Sequence, residues 1–157
     1  MKGVFWNCNG FADPKKHRFV SDIVREKDLI HFLALSETGK RDCSQFFLKN
    51  LVGGKDFLWH CKPPHGRSGG MLLGVNISFF YIGEIEEGDF FIKFKLRNKQ
   101  DGFQWFLVSA VYGATQQEFK EVFLTELVHF CSKETLPMLI GGDFNIIRGP
   151  HEKNNGN

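Results

Sequence analysis

The chain has 157 residues, of which 42% are hydrophobic and 18 are phenylalanine, with a formal net charge of +2. That length fits one domain with ample material for a core. The charge is too small to argue for a nucleic-acid partner, so any such case rests on local basic patches. No window has the uninterrupted apolar run of a membrane helix, and the start, MKGVFWNCNG, lacks the layout of a signal peptide. An intracellular protein with no membrane partner is therefore expected. The four cysteines, Cys8, Cys43, Cys61 and Cys131, form no CxxC or Cys/His metal pattern. They read as free thiols in a reducing compartment, mostly core filler.

Val4 to Asn7 predicts a short strand ending in a polar corner, Asn7-Cys8-Asn9-Gly10, where Asn and Gly suit a turn. Past Pro14, the basic run Lys15-Lys16-His17-Arg18 opens a helix to about Glu26. Val20, Ile23 and Val24 form its apolar stripe, and the basic run reads as a solvated face. Leu29 to Leu35 is nearly continuous in apolar residues, as a strand buried on both faces would be, and ends at Ser36-Glu37-Thr38. His31 within it reads as a hydrogen-bonded core or edge residue. Cys43 to Leu51 predicts a short helix with Phe46, Phe47 and Leu51 inward. Phe57 to His60 is a strand, and the loop from Lys62 to Gly70, which carries His65 and Arg67, is either a glycine-rich hairpin loop or a cover for a phosphate. Met71 to Val75 and Phe79 to Ile85 are further strands. In Phe90 to Arg97, Phe90, Ile92, Phe94 and Leu96 alternate with Lys93, Lys95 and Arg97, which predicts a half-exposed strand with a basic outer face. Phe103 to Tyr112 returns as its more central antiparallel partner. Gln116 to Lys133 is the clearest helix, striped by Phe119, Val122, Phe123, Leu127, Phe130 and Cys131.

The stretch Leu136 to Arg148, LPMLIGGDFNIIR, organises the rest. Met138 to Ile140 lies between Pro137 and a glycine pair and reads as a short buried strand. Asp143 and Asn145 leave its carboxyl end, where ligands and chemistry gather in α/β sheets; a plain polar turn after a core strand has the same pattern. Four candidate strands thus end in a residue able to work on phosphate: Asn7, Glu37, Tyr112, and Asp143 with Asn145. If the strands run side by side, these groups converge at one rim. Glu37 suits a hard cation such as Mg²⁺, which takes one or two carboxylates and keeps several waters. The Asn7 amide can steer a metal-bound water or the carboxylate. Asp143 can accept a proton from an attacking water or orient it, with Asn145 fixing its geometry or binding a phosphate oxygen. Tyr112 either donates to that phosphate or packs at the rim. Strands outnumber helices, and helices fall between some of them, so a two-sheet α/β sandwich is expected.

Asn7-Cys8-Asn9-Gly10, Leu35 to Thr38, Ser68-Gly69-Gly70, Val111-Tyr112-Gly113 and Gly142-Asp143-Phe144-Asn145 stand in the order that resembles the endonuclease/exonuclease/phosphatase family. The Trp6-Asn7 start and the GGDFNIIR…EK segment are most similar to endonuclease domains of plant LINE-type retrotransposons, relatives of apurinic/apyrimidinic endonucleases. The resemblance runs from about Val4 to the end. It implies a four-layer α/β sandwich, two mixed β-sheets packed together and flanked by helices, in a single domain over residues 1–157. It further implies a metal site at Asn7 and Glu37 for Mg²⁺ or Mn²⁺, and a catalytic set of Asp143, Asn145 and Tyr112 in which Asp143 activates water. Asn145, Tyr112, Arg67 and Lys40 are the implied phosphate or DNA contacts. DNA is the implied substrate, no small-molecule cofactor is needed, and the nucleus is one intracellular location open to such a protein.

Three departures qualify that picture. Asn9 stands where the family often has Asp or Arg, and Thr38-Gly39-Lys40 displaces the lysine of the family's ETK by one. The family's terminal Asp-His motif and its last strands have no counterpart, and His151 is not preceded by Asp. On that reading the domain is incomplete, missing its C-terminal strands, and the isolated chain cleaves DNA feebly or not at all. Two rival readings remain. One is a phosphomonoesterase or lipid-phosphate hydrolase on the same fold. The other is a non-catalytic nucleic-acid- or protein-binding remnant, carried by the basic groups at Lys15 to Arg18, Arg67 and Lys93 to Lys99.

Overall fold

The computed structural model describes residues 1–26, 30–65, 69–111 and 117–145. In chain order these form β1 (Gly3–Asn7), α1 (Pro14–Glu26), β2 (Phe32–Ser36), α2 (Gln45–Leu51), β3 (Phe57–Lys62), β4 (Met71–Asn76), β5 (Phe80–Glu87), β6 (Phe91–Asn98), β7 (Gln104–Val111), α3 (Gln117–Ser132) and β8 (Met138–Asp143). Local chemistry sets several boundaries. Asp13 caps α1 by accepting from the Lys15 N–H at 2.9 Å, and Pro14 supplies a first-turn residue that needs no hydrogen-bond acceptor. Ser44 caps α2, its side chain accepting from the Phe47 N–H at 3.2 Å.

The strands pair as two four-stranded sheets, β1-β2-β4-β3 and β5-β6-β7-β8. Both are mixed: β1 is parallel to β2 and β8 parallel to β7, and the other pairings are antiparallel. The strand period of two divides each strand's side chains between layers. Phe32, Ala34, Leu73 and Val75 of the first sheet meet Ile92, Phe94, Leu96, Trp105 and Leu107 of the second in the central core. Leu33, Leu35 and Leu72 face the other way, against Val20 and Val24 of α1 and Leu48 and Leu51 of α2. Phe106 and Val108 of the second sheet pack against Phe123 and Phe130 of α3. The order helix, sheet, sheet, helix is the expected four-layer α/β sandwich. Fully burying each of the valine, leucine, isoleucine and phenylalanine side chains contributes about 1.5–3 kcal/mol.

Several expectations need correction. Lys93, expected on a half-exposed basic face, is 1% exposed, because α3 and the segment after it cover that part of the sheet. Its ammonium bonds Glu86 at 2.6 Å and Glu134 at 2.7 Å and lies 4.2 Å from the Phe130 ring centroid. Phe90, expected inward with Ile92 and Phe94, sits at the bend before β6 and packs under α3 against Phe123 instead. Phe46, expected inward on α2, is 78% exposed; Leu48 and Leu51, one helical turn apart, form the inner stripe. Val122 on α3 is likewise exposed. Met138 to Ile140 is only half-buried, since β8 is the edge strand of its sheet.

Candidate active site

β1 and β8, the edge strands of the two sheets, lie side by side. Gly141 is pressed onto β1: a Cβ there would sit 2.5 Å from the Phe5 ring, so a side chain at this position would force the two edges apart. At the carboxyl ends of the two strands, the Asn7 side-chain amide donates to Asp143 Oδ2 at 2.7 Å. The other carboxylate oxygen, Oδ1, accepts from the Asn145 backbone N–H at 3.0 Å. Asn7 Oδ1 accepts from the Asn9 N–H at 3.1 Å. Both ends of the Asn7 amide and both oxygens of Asp143 are thereby oriented.

Glu37 joins this rim through the first sheet. Asn7 is level with Ser36 in the β1–β2 register, and Glu37 follows directly. Beyond the strands the two chains keep exchanging bonds: the N–H groups of Cys8, Gly10 and Phe11 donate to the carbonyls of Ser36 at 2.9 Å, Glu37 at 2.6 Å and Thr38 at 2.7 Å. On the other side, the Gly39 N–H donates to the Gly69 carbonyl at 2.7 Å. A Cβ on Gly69 would lie 2.9 Å from Glu37 Cα, so glycine there lets the backbone close over the glutamate.

The backbone is strained at this rim. Among the described residues, the non-glycine residues with positive φ are Asn9 (45°), Glu37 (50°) and Asn145 (45°). Asn tolerates this region; Glu does so less readily. Such residues cost on the order of 1–3 kcal/mol each and cluster at functional sites.

The Asn7 corner is held by a residue that the sequence marks only as part of a basic run. Lys16, from the first turn of α1, donates to the carbonyls of Cys8 at 2.6 Å, Asn9 at 3.0 Å and Gly10 at 2.9 Å. The solvated-face reading therefore fails for Lys16. No spacing signal could have found it, since a lysine nesting carbonyls and a lysine in water look alike in sequence. Lys40 is engaged with α2, its ammonium 4.0 Å from the Phe47 ring centroid. Tyr112, Arg67 and His151 lie outside the described residues.

Chemically, the rim offers one oriented carboxylate, one oriented amide and the half-buried Glu37 carboxylate, for which no hydrogen bond or ion pair is found among the described residues. No group of three His, Cys, Asp or Glu that could cage a metal occurs among the described residues. The donor set fits a hard divalent cation that keeps most of its waters, and does not fit a soft-metal site. A cavity of about 420 Å³ bounded by His31, Phe80, Trp105 and Leu139 lies at the other end of the strands, away from these groups.

A sequence profile of the endonuclease/exonuclease/phosphatase family matches residues 4–156. The chain belongs to this family. No curated protein matches it significantly. Among solved structures, this family member is similar to the human Nocturnin catalytic domain with bound sulfate anion. That likeness has 18% identity and a TM-score of 0.63, covering 92% of the chain and 64% of that structure. It is also similar to humanized D. rerio TDP2, at 13% identity and a TM-score of 0.66, covering 93% and 62%. A third is the Bacteroides thetaiotaomicron mannosyl-6-phosphatase, at 13% and 0.60, covering 84% and 57%. At these identities the likeness shows the fold, and the chain spans less than two thirds of each structure's length. No helix among the described residues is long and apolar enough to cross a membrane.

Proposed function

We propose that this family member is a divalent-metal-dependent phosphodiesterase acting on DNA, with residues 1–157 as one domain of the family's fold. The observation that carries the reading is the 2.7 Å bond from Asn7 to Asp143. It joins the ends of strands from different sheets at the rim where Glu37 turns out of β2. Glu37 and the Asn7 amide would hold Mg²⁺ or Mn²⁺. When bound, the cation supplies charge neutralisation at a phosphate oxygen, the main need of phosphoryl chemistry.

The chain's own groups do the rest. Asp143, held on both oxygens, orients a water against phosphorus and accepts its proton as the new P–O bond forms and the bond to the leaving oxygen breaks. Asn145 and Tyr112 contact the phosphate oxygens, and Arg67 and Lys40 add positive charge along the bound strand. Lys16 keeps Asn7 in place without touching substrate. The narrower reading, a DNA-nicking enzyme of the LINE-retrotransposon kind, is supported by the Trp6-Asn7 start and the GGDFNIIR segment. The phosphomonoesterase alternative draws on the structural likeness to a mannosyl-6-phosphatase.

The test is nicking of supercoiled plasmid by the chain with Mg²⁺, run beside turnover of a sugar phosphate and an inositol phosphate. Feeble plasmid nicking is expected, with Asp143→Ala and Glu37→Ala each lowering it by roughly 100-fold or more while DNA binding persists. Turnover of the phosphomonoesters alone would overturn the DNA reading. DNA binding with no turnover, unchanged by Asp143→Ala, would overturn the enzymatic one in favour of a binding remnant.

A further inference from the structure

The cysteines are scattered in sequence, yet the fold brings two of them together. Cys43 lies on the irregular segment between Glu37 and α2, directly before the Ser44 cap, and Cys61 is on β3, an edge strand of the first sheet. Their sulfurs are 3.5 Å apart, and both thiols are free and half-buried. The other two are placed differently. Cys8 is buried with its sulfur 3.7 Å from the Trp6 carbonyl oxygen, and Cys131 belongs to α3, on the far side of the second sheet.

We propose that Cys43 and Cys61 are a reversible disulfide site, oxidised by exchange with a low-molecular-weight disulfide, and that the bond fastens the segment leaving Glu37 to β3. A disulfide needs sulfurs about 2.05 Å apart, so the pair must close by roughly 1.5 Å. Cys43, outside any helix or strand, has the freedom to supply that movement. The segment is already tied at one end, where the Thr38 and Gly39 N–H groups donate to the carbonyls of Gly70 and Gly69, and at the other by α2. The new bond would add an anchor between the two.

The exchange balances in two steps. The Cys43 thiolate attacks one sulfur of the external disulfide, breaks its S–S bond and releases one thiolate, which takes a proton from water. Cys61 then loses its proton and attacks the Cys43 sulfur of the mixed disulfide, expelling the second thiolate. Two protein thiols are oxidised and one external disulfide is reduced to two thiols. Burial, with the adjoining Cys43 thiol, pushes the Cys61 thiol up to about 12. Cys43 lies outside any helix or strand and Cys61 is fixed on β3, so Cys61 serves as the resolving group, where proximity replaces acidity.

The test equilibrates the full chain with excess glutathione disulfide, then alkylates it and maps peptides by mass spectrometry alongside thermal unfolding. Expected are the loss of two alkylatable thiols, a Cys43–Cys61 cross-linked peptide, and a rise in melting temperature of roughly 5–10 °C that dithiothreitol reverses. Cys131→Ser should behave identically. Cys61→Ser should leave a glutathione adduct on Cys43 and no rise. Four alkylatable thiols after oxidation, or separate adducts on Cys43 and Cys61 without the cross-link, would overturn the proposal. A cross-link that leaves the melting temperature unchanged would overturn the fastening.

Discussion

Lys16 shows how much of the candidate rim depends on one side chain that makes no claim in sequence. Its ammonium gathers three consecutive carbonyls directly after Asn7. Hydrogen bonds to a charged group are each stronger than neutral ones, but Lys16 is half-buried and water can replace part of them. Lys16→Ala should therefore cost only about 1–2 kcal/mol of stability, read by urea denaturation. Its effect on plasmid nicking should exceed that small loss, because the Asn7 amide swings with its corner. Equal activity in Lys16→Ala and wild type would remove Lys16 from any positioning role. At this scale the sequence was legible in the convergence it predicted, since Asp143 of Gly142-Asp143-Phe144-Asn145 meets Asn7 at one rim. It was silent where backbone conformation matters. Nothing about a glutamate says that it will sit at a φ of 50°, and a positive φ is imposed on Glu37 by the bonding of the loops around it.

The second sheet shows the limit of periodicity at the scale of an element. The alternation in β6 is real: Ile92, Phe94 and Leu96 enter the central core, and Lys93 faces the other way. A period of two says which residues share a face, but not what covers that face. Here α3 does, over Lys93 but not over Arg97, whose guanidinium instead lies against the half-exposed Tyr81 ring. Burial by itself would depress the Lys93 pKa. The bonds to Glu134 and Glu86 outweigh it, and the ammonium is held above its ordinary 10.5. A raised pKa stabilises the fold below the unfolded value, and that contribution is lost as pH climbs through the folded one. The stability advantage of wild type over Lys93→Met should thus be present at neutral pH and shrink above about 10.5. Lys93→Ala, which also leaves a void beside Phe106 and Phe130, should cost about 3 kcal/mol at neutral pH, measured by denaturant titration. A gap between wild type and Lys93→Met that does not change with alkaline pH would show that the ion pairs contribute nothing.

Across the whole molecule, the two sheets are fastened at both open edges. At one edge Asn7 reaches Asp143; at the other, His60 of β3 meets Glu87 of β5 at 2.6 Å, and Lys62 donates to the Gly88 carbonyl at 2.7 Å. Burial would raise the Glu87 carboxyl, but the bonds from His60 and Lys62 prevail and hold it below the ordinary 4.5. A depressed pKa stabilises the fold above the unfolded value and loses that contribution as pH falls through the folded one. The difference between wild type and Glu87→Gln should therefore be seen at neutral pH and close below about 4.5. Thermal unfolding across that range would show it, and a gap that persists in acid would refute it. The layer order was legible from alternating strands and striped helices, and the family's motif order pointed to the same architecture. The packing of β1 beside β8, the Cys43–Cys61 contact and the His60–Glu87 clasp were not, since each joins residues that no local pattern relates. The Asn7–Asp143 bond spans two sheets, not neighbours within one. A slip of either sheet by a single residue, about 3.3 Å along the strand, would part the two side chains while leaving nearly every backbone ladder intact. Catalytic competence would then report on how the halves of the sandwich are aligned, and should vanish at a temperature at or below the one where the ladders themselves dissolve.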